Sequence, residues 1–547
     1  MPAPSRHLSN SLVLAAAFVL TACGGGSDAG SQPSAPGLTQ PGAPLVRVSQ
    51  ASPFPASCGG ALPGSRSYED AEVEPYVAVD PTNTAHLIGV WQQDRWSDGG
   101  AHGLMSGYSL DGGRHWTLVP LPFSQCAAVT GAGTGYARAS DPWVTFAPDG
   151  TAYAISISFT GDTLQPGSKG AVLVTRSADG GASWSDPAVL IADGVHAFDD
   201  KEAITADAND SHLVYAVWDR LTDTGLGPTY FSRTTDGGAS WEAARVIYDP
   251  GLDNQTIGNE IMSLPDGSIV DFFDEIDGTS GNAATSRIRV LRSVDQGVTW
   301  SAPVTVAANE SVGTVDPEDT RSIIRSGAGL PQAAVGPGGE LVVVWQDARF
   351  SGGRRDAIAL ARSTDGGRHW SAPVRINSTP AAAAFTPSVA VLADGTLGVS
   401  YFDFRNDTPD VGTLPTDYWF VSSTDGVAWR EQHISGPFDM DLAPEAEGLF
   451  IGDYQALAVI GQAFVPFYVQ TDDAGTANRD DAWVLPPQPV PLALSRRVTH
   501  VAAAAPEAAP DAAFRARMHA SAMQLLRGEN PGWDRLREAR RRGVTPP

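Results

Sequence analysis

The chain has 547 residues, enough for a large buried core, and 42% of them are hydrophobic. Its 58 glycines and 41 prolines are typical of a turn-rich β protein. The formal net charge of −26 argues against nucleic acid as a partner, because the phosphate backbone would be repelled.

The N-terminus predicts an export signal. Arg6 precedes an apolar core at residues 12–20, which is too short to span a bilayer. The segment Leu20-Thr21-Ala22-Cys23 resembles a bacterial lipobox. This resemblance implies a signal peptide at 1–22, lipidation of Cys23, and a location in the bacterial cell envelope, at the outer membrane or the cell surface. Residues 23–44 are rich in Gly, Ser and Pro and predict a flexible linker.

One turn motif, Ser/Thr-x-Asp-x-Gly-x-x-Trp, occurs six times, and the sixth copy is one residue shorter. The copies occupy residues 109–116, 177–184, 234–241, 293–300, 363–370 and 423–429. Their tryptophans stand 68, 57, 59, 70 and 59 residues apart. A period of this length indicates a repeated supersecondary unit, and it suits the four-stranded blade of a β-propeller.

Each copy lies between two alternating apolar runs, so it predicts a hairpin turn. The Asp can accept hydrogen bonds from the backbone of its own turn, the Gly supplies a positive φ, and the Ser or Thr adds a local hydrogen bond. A structural role is therefore favoured over chemistry for the six motif aspartates, Asp111, Asp179, Asp236, Asp295, Asp365 and Asp425. The motif resembles the Asp-box, or BNR repeat, of sialidases and other propellers, over about residues 70 to 485.

An all-β propeller at 45–486 is predicted, with six motif-bearing blades. A seventh block follows the sixth motif, with apolar runs at 455–460, 463–469 and 482–485. Residues 45–49 can supply its fourth strand and close the ring with the two ends of the chain. A seven-bladed ring is therefore favoured, and the six blades of sialidases are the alternative.

Two cysteines follow the predicted linker, Cys58 and Cys126. Export favours a disulfide between Cys58 and Cys126, on either side of the first blade.

The tail at 487–547 is rich in Ala, Pro and Arg. Apolar residues at helical spacing from Phe514 predict a helix, and a second short helix is predicted at 533–542. Residues 495–547 hold ten arginines against five acidic residues, so the tail can dock on the acidic propeller or on anionic surface polymers. A partly disordered end is the other interpretation.

On the face opposite the motif turns, strand ends should place acids and arginines around the central channel. Inner strands begin with Glu74, Asp141, Glu202, Glu260 and Asp453. Second strands end with Asp94-Arg95, Asp219-Arg220, Asp274, Asp347-Ala-Arg349 and Asp403-Phe-Arg405. Three interpretations stay open: Asp–Arg pairs that order the loops, a calcium site built from carboxylates, and a substrate site in the channel.

Several segments on this face resemble those of sialidases, which use a Tyr nucleophile, a Glu that activates it, an Asp acid and three arginines that hold the sugar carboxylate. The matching segments are Gly258-Asn259-Glu260, Gly452-Asp453-Tyr454, Ser140-Asp141-Pro142 and Trp91-Gln-Gln-Asp94-Arg95-Trp-Ser-Asp98. The resemblance implies Tyr454 as nucleophile, Glu260 as its base and Asp98 or Asp94 as the acid. Substrate would be held by Arg95, Asp141, Arg325 and Glu74.

The chain departs from the family at two clamp positions. Val73-Glu74-Pro75 replaces the family's Arg-Ile-Pro, and Asp274 stands where a further Arg would be.

From the export signal, the repeated motif and the matching segments together, we expect an exported, monomeric sialidase-like glycoside hydrolase that acts on terminal sugars of glycans. It would require no cofactor, and calcium would be an optional ion. The alternative is a non-catalytic surface propeller that binds or scaffolds, stabilised by calcium.

Overall fold

A computed structural model of the chain describes residues 44–130, 134–278, 284–472, 479–487, 498–505, 509–529 and 533. The predicted signal peptide, Cys23 and all but the last residue of the predicted linker lie outside the described residues, as does the predicted second tail helix after Trp533. None of the described helices has the length and apolar character needed to cross a membrane.

The strands form seven antiparallel four-stranded blades, and in each blade the first strand named is the innermost. Blade 1 is Glu72–Val79, Leu87–Arg95, Ala101–Ser109 and Thr117–Pro120. Blade 2 is Arg138–Phe146, Ala152–Thr160, Lys169–Ser177 and Ala188–Asp193. Blade 3 is Ala197–Ala206, Val214–Thr222, Thr229–Thr234 and Arg245–Tyr248. Blade 4 is Asn254–Ser263, Ile269–Asp277, Thr285–Ser293 and Val304–Asn309.

The last three blades include the ring closure. Blade 5 is Gln332–Val335, Leu341–Asp347, Ala357–Ser363 and Val374–Arg375. Blade 6 is Ala384–Val391, Leu397–Asp403, Pro415–Ser423 and Ala428–Asp439. Blade 7 is Ala456–Ile460, Ala463–Thr471, Asp480–Val484 and Val46–Arg47. Three short strands, Thr314–Val315, Ile323–Arg325 and Leu449–Phe450, form a small sheet, and Gln125–Thr130, Arg349–Ser351 and Met440–Leu442 are 3₁₀ turns.

The ring closes through the two ends of the propeller. Val46 pairs with Val484 and Arg47 with Trp483, so the first strand of the chain is the outer strand of the last blade. The inner strands contact one another in chain order, and that of blade 7 contacts that of blade 1. The predicted seven-bladed ring with its closing strand is therefore confirmed, and the six-bladed alternative is wrong because the block after the sixth motif forms a blade of its own.

Each motif turn is held by the same hydrogen bonds. In blade 1, the Gly113 N–H donates to Ser109 Oγ at 2.9 Å, and the His115 N–H donates to Asp111 Oδ1 at 3.0 Å. The equivalent bonds recur in the other five turns. Hydrogen bonds from the hydroxyl and N–H of Ser240 and from Thr234 lower the pKa of Asp236 to about 2. These aspartates are therefore committed to their turns.

A set of arginines links each of these turns to the turn of the next blade. In blades 2 to 5 the residue before the motif Ser or Thr is Arg, and its Nη1 donates to a backbone carbonyl in the following motif. The pairs are Arg176 to Gly237 at 2.8 Å, Arg233 to Gln296, Arg292 to Gly366 at 2.9 Å, and Arg362 to Asp425 at 3.5 Å. Neighbouring blades are thus joined by polar contacts in addition to their apolar faces.

Loss of one such link should destabilise the ring measurably. We expect Arg292→Met to lower the free energy of unfolding by about 1–2 kcal/mol, because hydrogen bonds of a charged donor to Gly366 and Asp266 are removed. Urea denaturation measures this. Arg368→Met is the control, because Arg368 is exposed and its Nη1 bonds only within its own turn. Equal midpoints for the two variants would contradict the prediction.

The described part of the tail lies on the propeller. Val498–Val501 adds a fifth strand to blade 6, and Ala503–Ala504 adds one to blade 5. Both cover outer edges that would otherwise expose unpaired backbone groups. The helix Ala512–Glu529 then packs on the face of the propeller opposite the motif turns, which we call the loop face. A disulfide joins Cys58 to Cys126, with their Cα atoms 5.7 Å apart.

Candidate functional site

Bulges in the inner strands aim side chains at the channel. In blades 1, 2 and 3 the strand pairing shifts register at Glu74, Asp141 and Lys201. These three residues have φ values of 53°, 53° and 45°, a region that residues with a side chain rarely adopt. A bulge adds a residue and re-aims side chains, so three charged groups leave the normal alternation at equivalent positions. Gly258 and Thr386 occupy the same position in blades 4 and 6.

Lys201 is the centre of a buried ionic cluster. Its Nζ lies 3.1 Å from Glu74 Oε1, 3.3 Å from Asp141 Oδ2 and 3.2 Å from Asp453 Oδ2. Arg325 adds a second cation, with Nη2 2.7 Å from Asp453 Oδ2. We call Glu74, Asp141, Lys201, Asp453 and Arg325 the axial cluster. It draws on blades 1, 2 and 3 and on the loops before blades 5 and 7, so it depends on the closed ring.

The carboxyls of this cluster differ in protonation. Burial, followed by the charge of Asp141, raises the pKa of Glu74 well above its ordinary value. Burial alone would also raise the pKa of Asp141, but the Lys201 ammonium and hydrogen bonds from the carboxyls of Glu74 and Asp200 hold it below its ordinary value. Asp141 therefore keeps its negative charge to a lower pH than Glu74 does. Such a separation of pKa values is characteristic of acid–base sites.

A cavity of about 410 Å³ opens beside the axial cluster. Its charged lining residues are Arg95, Asp98, Arg138, Asp141, Asp162, Asp200 and Arg325. Phe159 and Phe198 supply an apolar side, and Arg138 Nη1 lies 2.8 Å from Asp98 Oδ1. The size and the mixture of apolar and convergent polar groups suit a small polar ligand.

Arg95 brings a buried positive charge to this cavity without a direct salt bridge. Its side chain is 2% exposed, its Nη1 donates to Gln92 Oε1 at 2.8 Å, and its Nε has no partner. Among the described residues, no carboxylate forms a salt bridge with it, and burial and the charge of Arg325 lower its pKa. Arg95 and Arg325 also lie over the ring of Phe450, at 4.8 and 4.3 Å. Two of the predicted substrate-binding arginines therefore converge, and Arg95 has no carboxylate in direct contact among the described residues.

The predicted nucleophile and its base have other partners. The Tyr454 hydroxyl donates to the Pro142 carbonyl at 3.3 Å, and burial and the charges of Glu74 and Asp141 raise its pKa well above its ordinary value. Glu260 accepts a hydrogen bond from the Ala333 N–H at 2.7 Å. Within the described part of the chain, no hydrogen bond joins Tyr454 to Glu260. Their catalytic roles stay predictions.

The two predicted acids occupy different environments. Asp98 lines the cavity, where it pairs with Arg138. Asp94 is buried and accepts hydrogen bonds from Ser52 Oγ at 2.6 Å and the Asp70 N–H at 2.9 Å. Asp94 thereby stabilises the segment before blade 1, and Asp98 is the better placed of the two to meet a ligand.

The sequence interpretation did not assign Lys201, Asp200 or Arg138 to the site. Asp200 and Lys201 belong to the acidic stretch at residues 199–202, which is buried. One signal was present, because Lys201 is one of only two lysines and directly precedes Glu202, which was expected at an inner-strand start. Among the described residues, no group of three or more His, Cys, Asp or Glu side chains is arranged to hold a metal ion. Calcium binding stays a prediction.

The burial of Glu260 predicts a pH dependence of stability. Burial raises the pKa of Glu260 from 4.5 to about 8. A carboxyl with a raised folded-state pKa contributes stability that is complete below pH 4.5 and is lost as the pH rises towards 8. We expect Glu260→Gln to flatten the fall in unfolding free energy over this range, measured by urea denaturation. Glu69→Gln, at an exposed position, should keep the wild-type slope; a wild-type slope for Glu260→Gln as well would contradict the prediction.

No protein-family model matches the chain, and no curated protein does. Among solved structures, a Hadza microbial sialidase is 17% identical over 76% of this chain and 66% of that one, with a TM-score of 0.39. A Penicillium chrysogenum α-L-arabinanase is 14% identical over 62% and 94%, with a TM-score of 0.42. A leech intramolecular trans-sialidase is 13% identical over 63% and 67%, with a TM-score of 0.38. These are distant similarities, so the site is interpreted from its own geometry.

Proposed function

We propose that the protein is a glycoside hydrolase that acts on terminal sugars of glycans, with its active site in the 410 Å³ cavity. The observation that carries this proposal is the convergence of three carboxyls, Asp98, Asp141 and Asp200, with the guanidinium groups of Arg95 and Arg325 on one cavity. Hydrolysis of a glycosidic bond needs a proton for the leaving oxygen and a carboxylate that activates water or stabilises the positive sugar ring.

The residues divide these tasks by their environment. We assign the acid role to Asp200, which lines the cavity beside Asp141; in this role its proton passes to the leaving oxygen. Asp141, whose pKa the Lys201 ammonium holds low, supplies the negative charge that stabilises the positive sugar ring. Asp98, paired with Arg138, is a second carboxylate on the cavity wall and is placed to activate water.

The sugar that fits this cavity carries an anionic group. Arg95 lines the cavity with a largely buried guanidinium, and Arg325 lies beside it over the same Phe450 ring. A substrate carboxylate would pair with Arg95 through charge-assisted hydrogen bonds, which are roughly twice as strong as neutral ones. Sialic acids and uronic acids are the sugars with this group. A neutral sugar could not form these charge-assisted hydrogen bonds.

A sialidase-type route and a non-catalytic role are the other candidates. The first uses Tyr454 as nucleophile and Glu260 as its base, and it requires the Tyr454 hydroxyl to leave the Pro142 carbonyl. The second, a surface binding or scaffold propeller, is favoured by the engagement of Tyr454 and Glu260 elsewhere. A calorimetric titration with sialic acid, glucuronic acid and calcium distinguishes binding alone from hydrolysis.

A panel of fluorogenic glycosides with neutral and acidic sugars tests these routes. We expect turnover of an acidic glycoside by the wild type, and retention of most of it by Tyr454→Phe, because that hydroxyl bonds only a backbone carbonyl. Loss of turnover in Tyr454→Phe would support the sialidase-type route instead. Absence of turnover in the wild type, together with tight glycan binding, would support the non-catalytic role.

We also propose that the chain is exported and anchored to the cell envelope through Cys23, so that the cavity meets surface glycans. The support is the segment Leu20-Thr21-Ala22-Cys23 after a short apolar core. Labelling with a fatty acid should mark the wild-type protein and not Cys23→Ser. Equal labelling of both would overturn the anchor.

A further inference from the structure

The tail helix Ala512–Glu529 is anchored on the loop face of the propeller. Its buried Ala522, Met523, Leu525 and Leu526 form one apolar cluster with residues of blades 2 to 5 and their connecting loops. The propeller side of that cluster consists of Leu164, Leu221, Ile257, Ile276, Ala284 and Leu330. The helix therefore bridges several blades rather than resting on one.

Contacts at the N-terminal half of the helix add to this anchor. Phe514 packs against Gly353, where an added Cβ would lie 2.3 Å from the ring. Arg517 Nε donates to the Gly353 carbonyl at 2.6 Å, and the Ala284 N–H donates to His519 Nδ1 at 3.0 Å. Both apolar and polar contacts thus define the position of the helix over the loops.

The C-terminal half of the helix lies above the axial cluster. Ser521, Gln524, Leu525 and Gly528 line a gap of about 20 Å³ together with loop residues that include Arg325 and Asp453. A space of that size holds about one water molecule. Gly528 also lines the 410 Å³ cavity, and a Cβ on it would lie 3.4 Å from Arg325 Nε.

We propose that this helix is a roof over the axial cluster and makes the neighbouring cavity a blind pocket. A glycan can then enter by its terminal sugar only, because Leu525 and the backbone at Gly528 lie over the loops that carry Arg325 and Asp453 and leave a gap of only about 20 Å³ there. This inference rests on the proposed function and adds the element that restricts it to chain ends: the helix excludes the interior of a polysaccharide from the cavity. Gly528 sets the space above Arg325, and a larger residue there would narrow the pocket.

The position of the roof can be tested without any glycan. Leu526→Asp places a charge in the apolar cluster and is expected to release the helix, whereas Ala516→Asp makes the same change at an exposed helix position. Trypsin cleavage at Arg515, Arg517 and Arg527 reports the release. Phenylglyoxal, which modifies accessible guanidinium groups, should then label Arg325 at least tenfold faster in Leu526→Asp than in the wild type or in Ala516→Asp.

Unchanged labelling of Arg325 in a Leu526→Asp protein whose helix is cleaved by trypsin would overturn the roof. Trypsin cleavage shows independently whether the helix has been released. If Leu526→Asp keeps its helix docked, the chain is instead truncated after Ala505. Faster labelling of Arg325 in the truncated protein would support the roof, and unchanged labelling would overturn it.

The substrate class is tested on polysialic acid and polygalacturonic acid. We expect the wild type and Ala516→Asp to release single sugars from chain ends, and Leu526→Asp to gain internal cleavage, seen as shorter oligosaccharides and a fall in viscosity. The same product pattern from an active Leu526→Asp enzyme overturns the inference and leaves the proposed function standing. If the wild type hydrolyses no acidic glycoside or polymer, the proposed function fails, and the assignment of chain ends as substrate fails with it. The phenylglyoxal labelling of Arg325 still tests whether the helix covers the axial cluster.

Discussion

Replacing Lys201 with Met is expected to lower the free energy of unfolding by about 3–5 kcal/mol, the usual cost of removing one partner of a buried ion pair. The Lys201 ammonium lies within 3.3 Å of Glu74, Asp141 and Asp453, and all four side chains are almost completely buried. Without the ammonium, two or three carboxyls face one another at the ring axis, and only Arg325 pairs directly with one of them while Arg95 acts from further away. The loss should therefore appear in the stability of the whole ring.

Urea denaturation at neutral pH measures this loss, and the chain supplies its own control. Lys169 is the only other lysine and is exposed, so Lys169→Met removes the same charge from the surface and should leave the midpoint unchanged. The difference between the two variants should shrink only at strongly acidic pH, where Asp141 becomes protonated, because Lys201 holds the pKa of Asp141 below its ordinary value. Equal midpoints at neutral pH would show that the axial cluster does not support the fold.

The architecture could be predicted from the sequence because the blade has a local signature. Each motif turn satisfies its own hydrogen bonds within about eight residues, so the same letters give the same turn six times. The pairing of residues 45–49 with the seventh block followed from the need to remove open strand edges. The turns and the ring closure could therefore be predicted from neighbours along the chain and from one topological rule.

The chemistry of the channel could be predicted only in part, because it depends on bulges that sequence periodicity does not reveal. Glu74 and Asp141 were expected on the channel face, and they lie there in the left-handed region. Lys201 lies between two acidic neighbours in the chain, and nothing in its local sequence indicates that it contacts carboxylates from three other parts of the ring. Arg138 reaches Asp98 across a blade boundary for the same reason.

The tail helix could be predicted from the sequence, but its docking site on the propeller could not. Helical spacing from Phe514 was visible in the sequence, and the helix Ala512–Glu529 follows it. Its docking site was not visible, because Leu221, Ile257 and Leu330 come from separate blades and form one apolar patch only after the ring has closed. The basic charge of the tail suggested an electrostatic contact, whereas the contact that positions the helix is largely apolar.

If the proposed function holds, Asp141→Asn is expected to reduce turnover of an acidic glycoside by about 10²–10³-fold, the range that removal of one group stabilising transition-state charge costs. Asparagine keeps the size of Asp141 but cannot supply a negative charge to the sugar ring or pair with Lys201 as an anion. Steady-state kinetics should show the fall in kcat. Asp149→Asn is the control, because Asp149 is exposed in a turn of the same blade and accepts only the Thr151 N–H at 2.9 Å. Wild-type turnover by Asp141→Asn would exclude this carboxylate from the reaction.

The pH profile separates a direct role of Asp141 from a structural one. Lys201 is a positioning residue in this scheme, since it keeps Asp141 ionised without contacting the cavity. Lys201→Met should therefore raise the pKa of Asp141 and move the acidic limb of the pH–rate profile to higher pH, in whatever fraction of the protein remains folded. In the Asp141→Asn background the same substitution should move no limb, because the group that titrates is gone. A shift that persists in the double variant would assign the acidic limb to another carboxyl and remove Asp141 from the mechanism.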